Sequence, residues 1–255
     1  MPFQTANGIA FHTQVLGSKE AALPPVVMLH GLVLGSLTTW YFGAAPVLAR
    51  SHSVLLYDLR GHGKSERALV GYDLGTMAED LRALLAGFSA RPVVLVGFSY
   101  GAAVALRFAL DHPERVCRLV LVESPLPAEN LDALESFVGK KWDEKFDALP
   151  AVFRRTLLQS KRARNRFVDG CRFLADKTSL IADLRSSVAM SEAAIANLSL
   201  PVLLVYGAHS LCRPVGERLE QLMPSAQLAL IEGGHFLPAE NSALLTRHIV
   251  DFVDG

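Results

Sequence analysis

Gly97-Phe98-Ser99-Tyr100-Gly101 joins two stretches of different character. Before it, Pro92-Val93-Val94-Leu95-Val96 is wholly apolar, as a strand covered on both faces would be. After it, residues 102–110 are rich in Ala and Leu and read as a helix. A strand, a sharp turn and a helix around G-x-S-x-G expose the serine side chain at the strand end. The glycines two before and two after Ser99 remove side chains that would collide in so tight a bend. Backbone N–H groups and the helix dipole at that point favour a developing negative charge. An ordinary Gly-Ser turn carries the same letters, so residues outside the pentapeptide have to decide whether Ser99 does chemistry.

Moving outward, short apolar runs alternate with helical patterns. Upstream, Val26-Val27-Met28-Leu29 ends in His30-Gly31-Leu32, and Val54-Leu55-Leu56-Tyr57 ends in the polar, Gly-rich loop from Asp58 to Ser65. Residues 37–49 are expected to form one helix, and residues 74–88 repeat apolar side chains at helical spacing. At the N-terminus, Asn7-Gly8 and the loose alternation of residues 9–16 predict an antiparallel edge hairpin. Downstream, Leu119-Val120-Leu121-Val122 ends in Glu123, Val202-Leu203-Leu204-Val205-Tyr206 ends in Gly207-Ala208-His209-Ser210, and residues 227–231 lead into Glu232-Gly233-Gly234-His235-Phe236. Strands alternating with helices predict a mostly parallel sheet, with the functional groups at the C-terminal strand ends. Residues 127–198 break the alternation and are expected to be an inserted helical cap on a core of residues 1–126 and 199–255. Within it, helices are expected near 131–138, 146–158, 167–174 and 180–196.

The chain has 255 residues, 51% of them hydrophobic, and a formal net charge of zero, which fits one larger α/β domain and gives no basis for nucleic-acid binding. No apolar run reaches the length of a membrane span, and the N-terminus lacks a signal-peptide pattern. A cytoplasmic protein without a membrane partner is expected. Cys117, Cys171 and Cys212 are odd in number and far apart, which predicts reduced thiols rather than a disulfide frame or a zinc site.

A serine hydroxyl needs a base in hydrogen-bond reach and a group that orients the base. His235 lies on a Gly-Gly loop after the last strand and is the first candidate, with His209 second. The amides of Leu32 and Tyr100 are the candidate oxyanion donors. His30 is expected to be structural, holding its loop still.

His30-Gly31, the Asp58–Ser65 loop, Gly97-Phe98-Ser99-Tyr100-Gly101 and Gly233-Gly234-His235-Phe236 together resemble the α/β-hydrolase family over the whole chain. The resemblance implies an eight-stranded, mostly parallel sheet, a cap after the sixth strand, Ser99 as nucleophile and His235 as base. One position departs from the pattern. The family's usual acid follows the seventh strand as Gly-x-x-Asp, but this chain has Gly207-Ala208-His209-Ser210. A minority of the family takes its acid from the end of the sixth strand, and Glu123 stands there. Ser99–His235–Glu123 is the expected triad; a dyad, Glu217 and Glu232 are the alternatives.

No metal or organic cofactor is required for such chemistry. Phe98, Trp142, Phe146 and Phe153 are candidate pocket residues for an apolar acyl group, although apolar helix positions more often pack as core. The resemblance leaves three functions open. These are a carboxylesterase, a thioesterase acting on an acyl carrier protein, and a non-hydrolytic receptor or lyase on the same fold. The basic residues from Arg154 to Arg166 read first as a solvated face and second as a docking surface for an acidic or phosphate-bearing carrier.

Overall fold

A computed structural model describes residues 2–126, 149 and 151–255. Eight strands form one sheet: β1 (Phe3–Ala6), β2 (Ile9–Leu16), β3 (Val26–Leu29), β4 (Val54–Tyr57), β5 (Val93–Phe98), β6 (Val116–Val122), β7 (Val202–Gly207) and β8 (Ala226–Ile231). Their order across the sheet is β1-β2-β4-β3-β5-β6-β7-β8. β1 and β2 are antiparallel and β2 is antiparallel to β4; from β4 onward neighbours run parallel. The hairpin turn is Asn7-Gly8, both at positive φ (47° and 74°), as a two-residue hairpin loop requires.

β3, β4, β5 and β7 are buried end to end, and β6 from Leu119 onward, because both of their faces are covered. Alternate residues serve opposite layers. Val27, Leu29, Leu55, Leu95, Leu119, Leu121 and Leu204 pack against α3 (Leu74–Phe88) and α4 (Tyr100–Asp111) in one cluster. Val26, Met28, Leu56, Val94, Val96, Val120 and Val205 pack on the other face. That face is covered by α1 (Thr38–Tyr41), α2 (Ala44–Leu48) and α11 (Ser242–Asp254). The helix expected over residues 37–49 is two short helices, divided at Phe42-Gly43. Gly43 takes φ −116° and ψ −110°, outside the helical region, and Pro46 has no N–H with which to continue a helix from Phe42, so the chain breaks there.

Between β6 and β7 lie α5 (Ala151–Gln159), α6 (Lys161–Lys177), α7 (Leu180–Ser186) and α8 (Glu192–Ala196). The expected helix over 180–196 is thus also two, parted by the stretch that carries the exposed Val188. Leu174, Leu180, Leu184, Ile195 and Leu198 join the apolar cluster of α3 and α4. The helix expected over 131–138 lies outside the described residues. The chain closes with α9 (Arg213–Leu222), α10 (Leu237–Glu240) and α11. Among the described residues no helix is long and apolar enough to cross a membrane.

This topology sets the site. β5 is the middle of the sheet, β6 and β7 follow it side by side, and β8 is the far edge. Ser99, Glu123, the Gly207–Ser210 turn and His235 all leave the C-terminal ends of these four strands, so one side of the sheet gathers them.

Candidate active site

Ser99 has φ 53° and ψ −127°, a conformation that costs a non-glycine residue of the order of 1–3 kcal/mol. The surroundings over-determine it. Its N–H donates to the Val122 carbonyl at 2.8 Å, and its own carbonyl accepts from Ala102 N at 2.8 Å and Ala103 N at 3.2 Å. The flanking glycines permit two close approaches. A Cβ on Gly97 would stand 2.4 Å from Ala102 Cα, and one on Gly101 would stand 2.3 Å from the His30 carbonyl oxygen. Gly101 therefore lets α4 press against the loop after β3, where the Leu32 amide lies.

His235 joins the two other side chains. Its Nε2 is 3.0 Å from Ser99 Oγ and its Nδ1 is 3.0 Å from Glu123 Oε2. The Glu123 carboxylate that faces His235 Nδ1 is fully buried, whereas the imidazole is about one-third exposed. The remaining acceptor capacity of Glu123 is used: Gly207 N–H donates to Oε1 at 2.5 Å, and Ser210 Oγ donates to Oε2. These bonds leave Nδ1 as the protonated nitrogen of a neutral His235 and Nε2 as an acceptor facing Ser99. Burial pulls the imidazole pKa down, but hydrogen bonds to Cys212 and Glu123 and the negative charge of the Glu123 carboxylate outweigh it and push it up to about 9.

The departure at Ser210 has a structural counterpart. Glu123 also sits at positive φ, 54°, and its N–H donates to the Val205 carbonyl at 3.0 Å. From there its longer side chain spans to the turn after β7, where Ser210 supplies a donor in place of a carboxylate. Gly207 makes room, since a Cβ there would be 2.5 Å from the carbonyl oxygens of Gly233 and Gly234. Cys212 is a neighbour that the sequence reading did not place. Its Sγ lies 3.6 Å from His235 Nδ1, and its own N–H donates to Ser210 Oγ at 3.0 Å. The only hint in the sequence was its place two residues beyond the usual acid position.

The loop after β3 is held from below. His30 Nδ1 donates to the Gly31 carbonyl at 2.8 Å and Nε2 accepts the Leu59 N–H at 2.9 Å, a structural role. His62 Nε2 accepts the Val33 N–H at 2.8 Å while its Nδ1 donates to the Arg60 carbonyl at 2.7 Å. Burial and the neighbouring His30 lower the His62 pKa to about 3, so it stays neutral and keeps accepting. Val33 itself is at φ 66°, with Leu34 N–H donating to the Leu32 carbonyl at 2.8 Å. That is a tight three-residue turn, rare for a β-branched residue. It turns the chain directly after Leu32. Among the described residues, neither the Leu32 N–H nor the Tyr100 N–H donates to another group.

Other candidates fall elsewhere. His209 pairs with Glu232 at 3.0 Å on the surface, and Glu217 pairs with Arg213 at 2.8 Å. Phe98 is buried, its ring 5.5 Å from that of His235, and so backs the imidazole. Trp142, Phe146 and the side chain of Phe153 lie outside the described residues.

Residues 24–167 match the family model described as the alpha/beta hydrolase fold. The chain is 29% identical to a pimeloyl-[acyl-carrier protein] methyl ester esterase of Aeromonas hydrophila, over 88% of this chain and 87% of that one. Two solved structures share the fold. An enol-lactonase from Burkholderia xenovorans superposes with a TM-score of 0.78 at 21% identity, covering 100% of both chains. An esterase from Rhodococcus sp. does so with a TM-score of 0.78 at 23% identity, covering 100% of this chain and 99% of that one. With its family model spanning more than half its length, the chain belongs to the α/β-hydrolase fold family.

Proposed function

We propose that the protein is a serine hydrolase that cleaves carboxylic esters or thioesters of apolar acyl groups through an acyl-enzyme on Ser99. The observation that carries this reading is the unbroken chain of contacts from Glu123 through His235 to Ser99, each at 3.0 Å. His235 Nε2 takes the proton as Ser99 Oγ attacks the carbonyl carbon. The Leu32 and Tyr100 amides stabilise the oxyanion. His235 then returns the proton to the leaving oxygen or sulfur, and an activated water reverses the sequence to free the acid. Glu123 stays ionised, orients the ring and stabilises the imidazolium. The sequence requires no cofactor. We place the protein in the cytoplasm and assign residues 127–198 as the cap over the acyl group.

The test is turnover on a chain-length series of simple acyl esters and the matching thioesters. Hydrolysis that grows with acyl length and vanishes in Ser99→Ala supports the reading; turnover that survives Ser99→Ala refutes it.

A carrier-borne thioester or ester is the second reading, and one observation favours it. Arg67, Lys161, Arg162 and Arg166 line an open groove of about 600 Å³, with Asp169 as its acidic residue. Such a groove suits an acidic carrier surface or its phosphate. The relative from Aeromonas hydrophila is named for a carrier-borne ester. Arg162→Glu with Arg166→Glu is expected to leave simple-ester hydrolysis intact and raise KM for the carrier-borne substrate at least about tenfold, as loss of rim charges does. Equal KM values in parent and variant dispose of the carrier.

A further inference from the structure

Among the described residues, Glu123, Cys212 and His235 bring a carboxylate oxygen, a thiol sulfur and an imidazole nitrogen within 4.8 Å of one another. We propose that these three side chains form a binding site for a soft divalent cation, such as zinc or cadmium, and that filling it switches the enzyme off. The inhibitory half of the proposal rests on His235 being the base for Ser99; the binding half does not.

The geometry is close to what a tetrahedral ion needs. Zinc bonds of about 2.0–2.2 Å to nitrogen and oxygen and about 2.3 Å to sulfur put neighbouring N and S ligands roughly 3.5 Å apart, and N and O roughly 3.3 Å apart. Here Cys212 Sγ is 3.6 Å from His235 Nδ1, and Glu123 Oε2 is 3.0 Å from it. The nitrogen–sulfur edge already fits, the nitrogen–oxygen edge needs to open by about 0.3 Å, and the sulfur–oxygen edge is no longer than 4.8 Å. Glu123 is held by Gly207 N–H and Ser210 Oγ, and the sulfur is tethered through its own N–H to Ser210 Oγ. Two of the three ligands are thus oriented before any ion arrives. Glu123 and Cys212 are buried, while His235 is partly open to solvent and gives the ion an entry.

The proton balance explains the inhibition. The ion takes the lone pair of His235 Nδ1, the Cys212 thiolate and the Glu123 carboxylate, so two anions and a neutral ring match its double charge. Cys212 releases its thiol proton to solvent. The ring gives up the Nδ1 proton and carries one on Nε2 instead, so a neutral imidazole changes tautomer without net loss; an imidazolium loses one proton more. With a proton on Nε2, the ring donates toward Ser99 Oγ and no longer accepts from it. The same residues that activate the serine then disarm it, and chelation restores the original tautomer.

Cadmium titration of the full chain reads the binding through the cadmium–thiolate absorption band and, in parallel, the rate at which a fluorophosphonate labels Ser99. The expected result is a band that saturates at one equivalent and is missing in Cys212→Ser. Labelling slows by at least about 100-fold, the lower range of a general-base contribution, and recovers with chelator. Cys117→Ser with Cys171→Ala, which retains Cys212 as the remaining thiol, is expected to keep the band. Should that variant not fold, the difference spectrum between parent and Cys212→Ser carries the same information. A band unchanged in Cys212→Ser, no band at all, or a saturated band with undiminished labelling overturns the proposal. If Ser99 is unreactive without metal, the hydrolase reading fails, and the band together with loss of the His235 Nδ1 proton signal in NMR still decides the metal site.

Discussion

Glu123 satisfies three donors with one buried carboxylate: Gly207 N–H, Ser210 Oγ–H and His235 Nδ1–H. Removing its charge while keeping its shape is therefore a clean test. Glu123→Gln is expected to lower kcat on the order of 10⁴-fold, as the corresponding amide change does in serine proteases, with KM little altered. The pH dependence has a definite sign. The proposed reaction needs the neutral imidazole, so kcat/KM of the parent is expected to rise with pH toward the His235 pKa of about 9. Glu123 is one of the groups raising that value, so Glu123→Gln moves the imidazole midpoint to lower pH, observable by NMR of the His235 ring. Ser99 and His235 were legible in the sequence because glycine-flanked loops after apolar runs can be found by eye. Glu123 became legible through the missing acid at Ser210. Cys212 was not, since no spacing rule connects a thiol to an imidazole that meets it only when β7 and β8 pair.

At the scale of single elements, the turn from β5 into α4 and the loop after β3 fix where the amides point. Gly101→Ala puts a Cβ 2.3 Å from the His30 carbonyl, backbone that has little room to yield. A cost of about 1–3 kcal/mol or more is expected in urea unfolding, together with loss of activity. His62→Ala addresses the loop without touching the reacting atoms. It frees the Val33 N–H and loosens the tight turn after Leu32. Loss of an oxyanion donor costs roughly 10²–10³-fold in kcat, and a loosened one is expected to cost up to about 10²-fold, in kcat rather than KM. Because His62 titrates near pH 3, the variant keeps the parent's alkaline-rising profile. β3, β4 and β7 were legible almost to the residue, since burial on both faces writes a continuous apolar run, whereas β6 begins at Val116, three residues before the apolar run at Leu119, because Cys117 and Arg118 are only half-buried. Residues 37–49 were read as one helix because their apolar spacing runs through Gly43, although Gly43 and Pro46 are the breakers that divide it.

Across the molecule, the loop after β4 links the sheet to its helical layer. Arg60 Nε and Nη2 donate to Asp80 of α3 at 2.7 and 2.6 Å, and both side chains are buried. Asn7 Nδ2 adds a bond from the edge hairpin at 2.8 Å. Breaking a buried pair leaves an uncompensated charge, so Asp80→Ala is expected to lower stability by about 3–5 kcal/mol in chemical denaturation, more than an exposed pair such as Arg82–Glu79 contributes. The parallel sheet followed from the alternation of strands and helices, and its eight-stranded form from the family likeness. The basic groove did not follow. Arg67 and α6 are some 100 residues apart in the chain, and sequence periodicity says which face of a helix is polar but not which loop lies beside it.

The most direct test of the account is the intact mass of the protein after exposure to a fluorophosphonate, with peptide mapping and a pH series of labelling rates. The account predicts one adduct, on Ser99, formed at a rate that climbs with pH toward about 9 and that is lost in His235→Ala. A folded protein that takes no adduct, or takes one on Ser99 at the same rate with and without His235, would contradict it.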